Sequence, residues 1–338
     1  MSNAQTDNSA FLHFAGVDLG RDSLTLTVID RQGKECLKTK DFPTSKAGFR
    51  RLRKCLGAFP KLAVAFEPTG NPSLTFLKAL DGFDAKLFQI NGRVIRRRAT
   101  SLTQTKTDAA DAKAIAETVR DIAIAKPGEL EHFRIVWNAE HANLALLATE
   151  YTERVEDVRR LKVRADHLEH QSAPMAVELR GRVAKDLKAA EKARDQAKQE
   201  MAAAAKACNG DMFALLLSIP GIGEVGAANL VREIGSISRF ESADALKGFL
   251  GMYPARRQSG KTEYPAHLAK HGNSAVKSTL FMSGHVAARH NPTCKKLFDR
   301  LVGKGKKRIV AIGAVMRKLI QIVYGVLKNK TPFSPDFA

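Results

Sequence analysis

An α/β domain followed by a mainly helical second half is the fold class that this sequence predicts. In the first 130 residues, short apolar runs of strand character alternate with helical stretches. From Leu144 onward, apolar residues instead recur three or four positions apart, which is the spacing of packed helices. A length of 338 residues suits two or three domains, and a hydrophobic content of 44% is ordinary for a folded chain.

Three strands come first and form a meander. Phe14–Val17 is a short apolar run that ends at Asp18, and Ser23–Ile29 alternates apolar and polar residues. After a turn that contains Gly33, Glu35–Phe42 is the third predicted strand.

Helices and strands then alternate along the chain. A helix over Lys46–Leu56, with basic residues on its outer face, precedes the strand Lys61–Phe66, whose apolar run indicates burial on both sides. A helix from about Pro72 to Leu80, the strand Ala85–Ile90 and the helix Asp108–Arg120 follow. Three strands followed by this alternation is the order of an RNase H-like α/β domain.

Two long helical segments come next. Apolar residues at coiled-coil spacing run from 144 to 168, Pro174 interrupts them, and a second series runs from 179 to 201. We expect an antiparallel helical hairpin, or a pair of dimerising helices, which ends at the turn residues 208–211.

The segment Ser218–Gly235 reads SIPGIGEVGAANLVREIG and resembles a helix-hairpin-helix. In that motif, glycines such as Gly221 and Gly223 let backbone N–H groups meet a phosphate. A simple packing corner between two helices is the alternative. The last apolar helix, Ala311–Leu327, is expected in the core.

The charge balance points to a polyanionic partner. Lys and Arg number 55 against 35 Asp and Glu, a net charge of +20, and residues 251–338 alone carry 17 basic and three acidic residues. Nucleic acid is the commonest partner of such a surface, although a solvated basic face would show the same excess. Anionic lipid is disfavoured, since no basic amphipathic segment carries regularly spaced aromatic anchors.

No uninterrupted apolar run reaches the length of a membrane span, so we expect no membrane association. Residues 1–10 are polar, without the features of a secretory signal, and we expect them to be disordered. The four cysteines are scattered, which favours a reducing cytoplasm.

Four carboxylates stand at informative positions: Asp18, Glu67, Asp108 and Asp111. The first two close strands, where α/β sheets bind ligands, and the other two are three residues apart on one helical face. Converging carboxylates repel each other unless cations neutralise them, and hard oxygen ligands select Mg²⁺ or Mn²⁺. Taken singly, each acid could be a surface group, and Asp108 could merely cap its helix.

Several separated motifs resemble the DEDD-type transposases of insertion-sequence family 110. They are GVDLG with Asp18, FEPTGN with Glu67, KTDAADAKAIA with Asp108 and Asp111, and in the second half SIPGIG, FLGMYPARRQSGKT and GKGKKRIVAIGAVMRKLIQIVYGVLKNKTPF. The resemblance runs from about Phe14 to Phe333. It implies a RuvC-like catalytic domain over 11–130, a coiled-coil hairpin over 138–207 and a transposase domain over 211–333.

The resemblance also implies a DNA nucleophile, the serine of PARRQSG, which is Ser259 here. Arg256, Arg257 and Lys261 would hold the scissile phosphate beside it. Such recombinases cut one strand at a time through a phosphoserine link and a Holliday-like intermediate. A structured bridge RNA that pairs with donor and target DNA guides them.

The same resemblance implies a homo-oligomer, a dimer or tetramer, in a bacterial cytoplasm with nucleoid association. In that assembly, the composite catalytic site is supplied either by one protomer or by two. The expected nucleic-acid-binding residues are basic or lie in the glycine turn: Arg93, Arg96, Arg97, Arg98, Lys106, Gly221, Gly223, Arg256, Arg257, Lys261, Lys270, Lys304, Lys306, Lys307 and Arg308.

Some residues depart from the pattern of the family. Tyr253 stands before the proline, where Thr or Ala is commoner, and Thr262 stands where a second serine is frequent. His267 and His271 occupy positions where more arginines are expected. We interpret both histidines as phosphate or solvent contacts rather than metal ligands.

Three other functions are compatible with parts of the sequence. A Holliday-junction resolvase or nuclease would use metal-activated water and leave Ser259 structural. A sugar-kinase or actin-like ATPase would share GVDLG, but it needs a second phosphate turn that is not evident. A non-catalytic nucleic-acid-binding protein would have no use for four acids beside a basic groove.

Overall fold

The computed structural model describes residues 11–92, 94–95, 107–131, 133–135, 137–253 and 273–335, and the backbone of 254–255, 258–259, 262–263 and 267–268. The chain divides into two compact units, Met1–Asn138 and Ala139–Ala338. Each unit has its own hydrophobic core.

The first unit is built on a six-stranded sheet with the order β3-β2-β1-β4-β5-β6. Strands β1, β4 and β5 are parallel, whereas β2, β3 and β6 each run antiparallel to the neighbour that they extend. The strands are β1 (His13–Leu19), β2 (Ser23–Asp30), β3 (Glu35–Pro43), β4 (Leu62–Phe66), β5 (Lys86–Gln89) and β6 (Arg134–Ile135). The predicted meander and the two predicted strands after it are confirmed, and β6 is an addition that the sequence did not predict.

Helices cover both faces of this sheet. Helices α1 (Lys46–Leu56) and α2 (Asn71–Ala79) pack on the face that carries Val17, Leu24 and Val64. Helix α3 (Asp108–Ala125) packs on the opposite face, and the short α4 (Pro127–Glu131) follows it. All three predicted helices of this unit are therefore present, with α3 extending five residues beyond the predicted Arg120.

Helix α3 lies in direct backbone contact with β1. A Cβ atom on Gly16 would stand 2.0 Å from the carbonyl oxygen of Ala112 and 2.4 Å from the nitrogen of Ala116. Near the other end of α3, the guanidinium of Arg120 fills the space beside Gly33, in the β2–β3 turn. That turn lies beyond the amino end of β1, where His13 pairs with Asp30. The helix therefore runs antiparallel to β1, and its first turn lies toward the carboxyl end of that strand.

Two long helices open the second unit as a hairpin. Helix α5 (Ala139–Glu169) and helix α6 (Pro174–Leu217) pack along each other, with Lys162 paired to Glu191 at 3.2 Å. The predicted turn at 208–211 does not end α6. It is a kink at Asn209, whose backbone leaves helical geometry and whose Oδ1 accepts from the Met212 N–H at 3.0 Å.

Shorter helices complete the second unit around one core. They are α7 (Glu224–Ile234), α8 (Ala243–Phe249), α9 (Ser274–His290), α10 (Pro292–Gly303) and α11 (Arg308–Asn329), with a 3₁₀ turn at Ile237–Arg239. The core also takes in Leu144 and Ala148 of α5 and Met201 and Ala205 of α6. The base of the hairpin is thus packed into the same core as the helices that follow it.

Helix α11 is the predicted last apolar helix, and in the described part of the chain it alone is long and apolar enough to cross a membrane. Half of its apolar window is buried inside the unit. Its buried residues, among them Val315, Leu319 and Val323, join the core of the second unit. The apolar character of α11 is explained by this packing.

We predict that Gly16→Ala destabilises the first unit, because the added methyl would collide with the backbone of α3 rather than with a movable side chain. Overpacking of this kind costs about 3 kcal/mol. Urea denaturation should show the loss. The matched control is Gly128→Ala, in α4, where an added Cβ meets nothing within 4 Å. Equal stability of the two variants would contradict the contact.

Candidate functional site

Asp18 and Glu67 lie at the carboxyl ends of neighbouring parallel strands. The register pairs Val17 with Phe66, so the next residue on each strand is one of the two acids. Both side chains are half-buried. Side chains alternate along a strand, and Phe14, Ala63 and Ala65 already belong to the core under α3. Asp18 and Glu67 therefore continue the face of the sheet that α3 covers.

The Glu67 carboxylate lies against Gly92, just beyond the neighbouring strand β5. A Cβ on Gly92 would stand 2.0 Å from Oε1 and 2.9 Å from Oε2 of Glu67. The backbone here is held by the Ile90 N–H, which donates to the Phe66 carbonyl at 2.9 Å. The absence of a side chain at Gly92 thus makes a cradle for the carboxylate at the edge formed by β1, β4 and β5.

The other two acids lie in the first turn of α3. Asp108 is exposed and Asp111 is half-buried. Thr107 is the N-cap, since its Oγ1 accepts from the Ala110 N–H at 3.2 Å. The alternative that Asp108 caps the helix is therefore wrong. Both carboxylates still lie at the positive end of the helix dipole, where acidic side chains stabilise a helix.

In the structure, all four acids lie toward one edge of the first unit, but their side chains do not surround a common metal position. Strand ends carry Asp18 and Glu67, and the first turn of α3 lies toward the same end of β1. Over the described residues, no group of three or more His, Cys, Asp or Glu side chains is close enough to hold one metal ion. In donor chemistry, the four carboxylates are the hard oxygen ligands that a divalent cation such as Mg²⁺ prefers.

Two polar residues beside Asp18 were not predicted. Thr25 is opposite Asp18 in the register, and Asp41 is opposite Thr25 on the next strand. The Thr25 hydroxyl donates to the Asp41 carboxylate at 2.7 Å, and Thr25 is only 5% exposed. Asp18, Thr25 and Asp41 thus form a row of polar side chains that runs from β1 across β2 to β3. Only the structure reveals it, because the sequence does not fix the register of β2 against β3.

The predicted nucleophile, Ser259, lies on a small ribbon in the second unit. Strand β8 (Gln258–Ser259) pairs antiparallel with β9 (Thr262–Glu263), and Ser259 is opposite Thr262. Outside this pair, β7 (Pro254–Ala255) pairs with β10 (His267–Leu268). Two nested antiparallel pairs thus place Ser259 next to the tight connection of a hairpin, which the sequence did not predict.

The two glycines of the turn before α7 differ, because Gly221 is packed against α9 and Gly223 is exposed. Gly221 has φ +107°, and a Cβ there would stand 2.9 Å from the backbone nitrogen of Ala287. Gly223 is exposed and has open space around its Cα. Glu224, the first residue of α7, is paired with Lys198 at 2.9 Å. The packing alternative therefore accounts for Gly221, whereas the exposed backbone at Gly223 is accessible to a ligand.

A basic loop joins α10 to α11. Lys304, Lys306 and Lys307 are exposed there, and Arg308 stacks over the ring of Phe298 at 5.7 Å. These four predicted residues form one cationic surface. The remaining predicted contacts lie outside the described residues: Arg93, Arg96, Arg97, Arg98, Lys106, Arg256, Arg257, Lys261, Lys270 and also His271.

Three of the four cysteines are poorly suited to act as nucleophiles. All four are free, and Cys294 is buried, so that desolvation raises the pKa of its thiol to about 11. Desolvation also raises the pKa of the Cys36 and Cys208 thiols. Thiols that stay protonated at neutral pH are poor nucleophiles.

Two family models match the chain in order. Residues 15–174 match a DEDD transposase model of the IS110 type, and residues 213–299 match the model described as transposase IS116/IS110/IS902 family. The first match contains all four acids of the candidate site, and the second contains Ser259 and the glycine turn.

Curated relatives agree with these models over about a third of the chain. A pilin gene-inverting protein of Moraxella bovis is 35% identical over 121 residues, 35% of this chain and 38% of that protein. The transposase for insertion sequence element IS1111A of Coxiella burnetii is 33% identical over 34% of this chain and 33% of its own length. An uncharacterised protein of insertion element IS110 from Streptomyces coelicolor is 27% identical, over 35% of this chain and 29% of that protein. The matched part thus spans less than two fifths of each of these relatives.

Among solved structures, Thermus thermophilus RuvC in complex with a Holliday junction substrate aligns with 34% of this chain and 96% of its own. The TM-score is 0.29 and the sequence identity is 20%.

Proposed function

We propose that the chain is a transposase of the IS110 type, which cuts and rejoins DNA for an insertion sequence, because two such family models match it in order. One observation carries this proposal. Asp18 and Glu67 end adjacent parallel strands, at the sheet edge toward which the first turn of α3 lies with Asp108 and Asp111. That edge is where α/β sheets place their ligands. A relative whose name describes gene inversion supports DNA rearrangement as the outcome.

Asp18, Glu67, Asp108 and Asp111 would hold Mg²⁺ or Mn²⁺ in this proposal. Such ions, when bound, neutralise the charge that develops on the phosphate during in-line displacement. The contribution of the chain is to supply hard oxygen donors on a rigid sheet edge. The cradle at Gly92 orients the Glu67 carboxylate for that role.

Ser259 is the proposed nucleophile. Its hydroxyl oxygen would form a bond to the scissile phosphorus and lose its proton, while the bond from phosphorus to one sugar oxygen breaks and that oxygen leaves as a hydroxyl. The phosphoserine ester keeps the energy of the phosphodiester, so attack by another strand's hydroxyl reverses the chemistry and rejoins DNA. Arg256, Arg257 and Lys261, beside the serine in sequence, would stabilise the charged phosphate.

A structured guide RNA is the second proposed partner. The net charge of +20 suits two polyanions, RNA and the donor and target DNA. Sequence choice would then be made by base pairing, and the protein would need only backbone contacts, such as those of the basic loop at 304–308. A homo-oligomer in the bacterial cytoplasm would bring Ser259 and the acids of different protomers into one site.

The nucleophile is tested by trapping the covalent intermediate. We predict that wild-type protein with Mg²⁺ and its cognate DNA forms an SDS-resistant protein–DNA adduct, and that Ser259→Ala abolishes it. Asp18→Asn should abolish both adduct and cleavage. Cleavage that survives in Ser259→Ala would instead support the resolvase or nuclease alternative, in which water attacks.

A substitution at Gly92 tests the position of the Glu67 carboxylate without disturbing the fold. We predict that Gly92→Ala reduces strand cleavage roughly 100-fold, because the methyl displaces the Glu67 carboxylate by an ångström or more. Thermal unfolding should change little, since only the end of a flexible side chain must move. Glu67→Gln is the matched comparison, with a similar loss of cleavage and similar stability. Full cleavage by Gly92→Ala would show that the position of Glu67 is unimportant.

The guide is tested by sequencing the RNA that co-purifies with the expressed protein when its flanking element is present. We expect strong enrichment of one structured RNA encoded by the element, against a control preparation of an unrelated basic protein. Enrichment of bulk cellular RNA only would contradict the guided mechanism while leaving the cleavage proposal intact.

A further inference from the structure

Helix α1 (Lys46–Leu56) carries five basic residues in eleven positions and no acid. Four of the five, Lys46, Arg50, Arg51 and Lys54, are exposed. Within the described residues, none of these four lies within 4 Å of a carboxylate. The surface of α1 is therefore cationic and uncompensated.

The fifth basic residue has a structural role. Arg53 donates to the carbonyl oxygens of Ala79 and Asp81, at 2.8 and 3.1 Å, and its guanidinium stacks over the ring of Phe83. Folding thus accounts for Arg53. It does not account for the four exposed cations.

Helix energetics disfavour the arrangement of the exposed four. Lys46 is the first residue of the helix, where the dipole favours an anion. Lys46, Arg50 and Lys54 follow each other at intervals of four, and like charges at that spacing repel. Both effects oppose helix formation, and only Lys54, in the last turn, lies where the dipole favours a cation. The stability of the helix therefore does not explain the row.

The two long helices of the second unit show the opposite pattern. On α5, Arg159 pairs with Glu156 and Arg160 with Asp157, and on α6, Arg182 pairs with Glu178. Each of these three exposed arginines is thus paired with an acid on its own helix. The cations of α1 lack such partners.

The row that Lys46, Arg50 and Lys54 form on α1 begins at the end of the first unit where Asp18 and Glu67 lie. The chain enters α1 from β3, whose last residue, Pro43, pairs with Ser23, and the Thr44 N–H donates to the Asp22 carbonyl at 2.9 Å. Residues 22 and 23 follow directly on the carboxyl end of β1, where Asp18 lies. Helix α1 covers the face of the sheet opposite α3, so its row leads away from the acidic edge along the back of the sheet.

We propose that the exposed face of α1 is a binding site for the phosphate backbone of nucleic acid. Lys54 lies eight positions after Lys46, so the helical rise makes the row about 12 Å long, and it spans several phosphates of one strand. It would hold the strand that leaves the acidic edge. The site reads no bases, because lysine and arginine rows contact phosphates whatever the sequence.

The test compares two triple variants of the full chain with the same change in net charge. Lys46→Gln/Arg50→Gln/Lys54→Gln removes the row on α1. Arg159→Gln/Arg160→Gln/Arg182→Gln removes three exposed, ion-paired arginines of the second unit. The dissociation constant for a 24-base-pair DNA duplex of arbitrary sequence, and for the same duplex in RNA, is measured at several KCl concentrations.

We expect the α1 variant to lower the slope of log K against log[KCl] by about 2.7 for DNA, because each lost phosphate contact contributes about 0.9. The control variant should keep the wild-type slope. A change with the DNA duplex, with the RNA duplex or with both identifies which nucleic acid occupies the site. An unchanged slope with both duplexes, or an equal change in the control variant, overturns the proposal.

The melting temperature of each variant shows whether a loss of binding is due to unfolding. The α1 variant should melt close to the wild-type temperature, because the loss of repulsion and of a first-turn cation offsets the loss of the favourable Lys54 in the last turn. A lower melting temperature in this variant, with binding lost at every salt concentration, would mean that the row has a structural role and would overturn the proposal. Binding does not require cleavage, so failure of the Ser259 or Asp18 predictions leaves this test unaffected.

Discussion

The contact between Gly16 and helix α3 is the constraint on which the candidate site depends. A strand and a helix that meet backbone to backbone cannot slide without a large loss of packing. With Arg120 holding the far end of α3 beside Gly33, the direction of the helix is set as well. The first turn of α3, with its two acids, consequently lies toward the strand ends of Asp18 and Glu67. The site is thus a product of the sheet rather than of a loop, which suits chemistry that requires precise placement.

Much of the first unit could be predicted because its signals are local. The apolar runs that end at Asp18 and Glu67 place both acids at strand ends, and the boundaries of α1 follow from its apolar spacing. Features set by partners distant in sequence were missed. The two-residue strand β6 has too few residues for a pattern, and the row from Asp18 through Thr25 to Asp41 depends on strand register. The cap of α3 is a choice between adjacent residues, Thr107 and Asp108, that both suit the role.

In the second unit, the turn residues at 208–211 do mark a break in helical geometry, but the break is a kink within α6 rather than its end. Asn209 caps a new helical segment with its side chain, so the chain kinks and continues as helix. Packing decides this, because Met212, Phe213 and Leu216, beyond the kink, are all buried. The serine is the opposite case. Two-residue strands carry no periodicity, so the hairpin around Ser259 could not be predicted, and only the family motif singled out that residue.

Charge divides the first unit into two regions with complementary tasks. Acids gather at the carboxyl ends of the parallel strands, where they repel a phosphate unless cations lie between. A DNA strand can approach such an edge only if other contacts supply the attraction, and those contacts must lie beside the acids rather than among them. The exposed row on α1 meets that requirement, since it begins near the end of β1 and continues along the opposite face of the sheet. An acidic edge for chemistry therefore implies a separate basic surface for binding, and α1 is the uncompensated helix of this unit that can provide it.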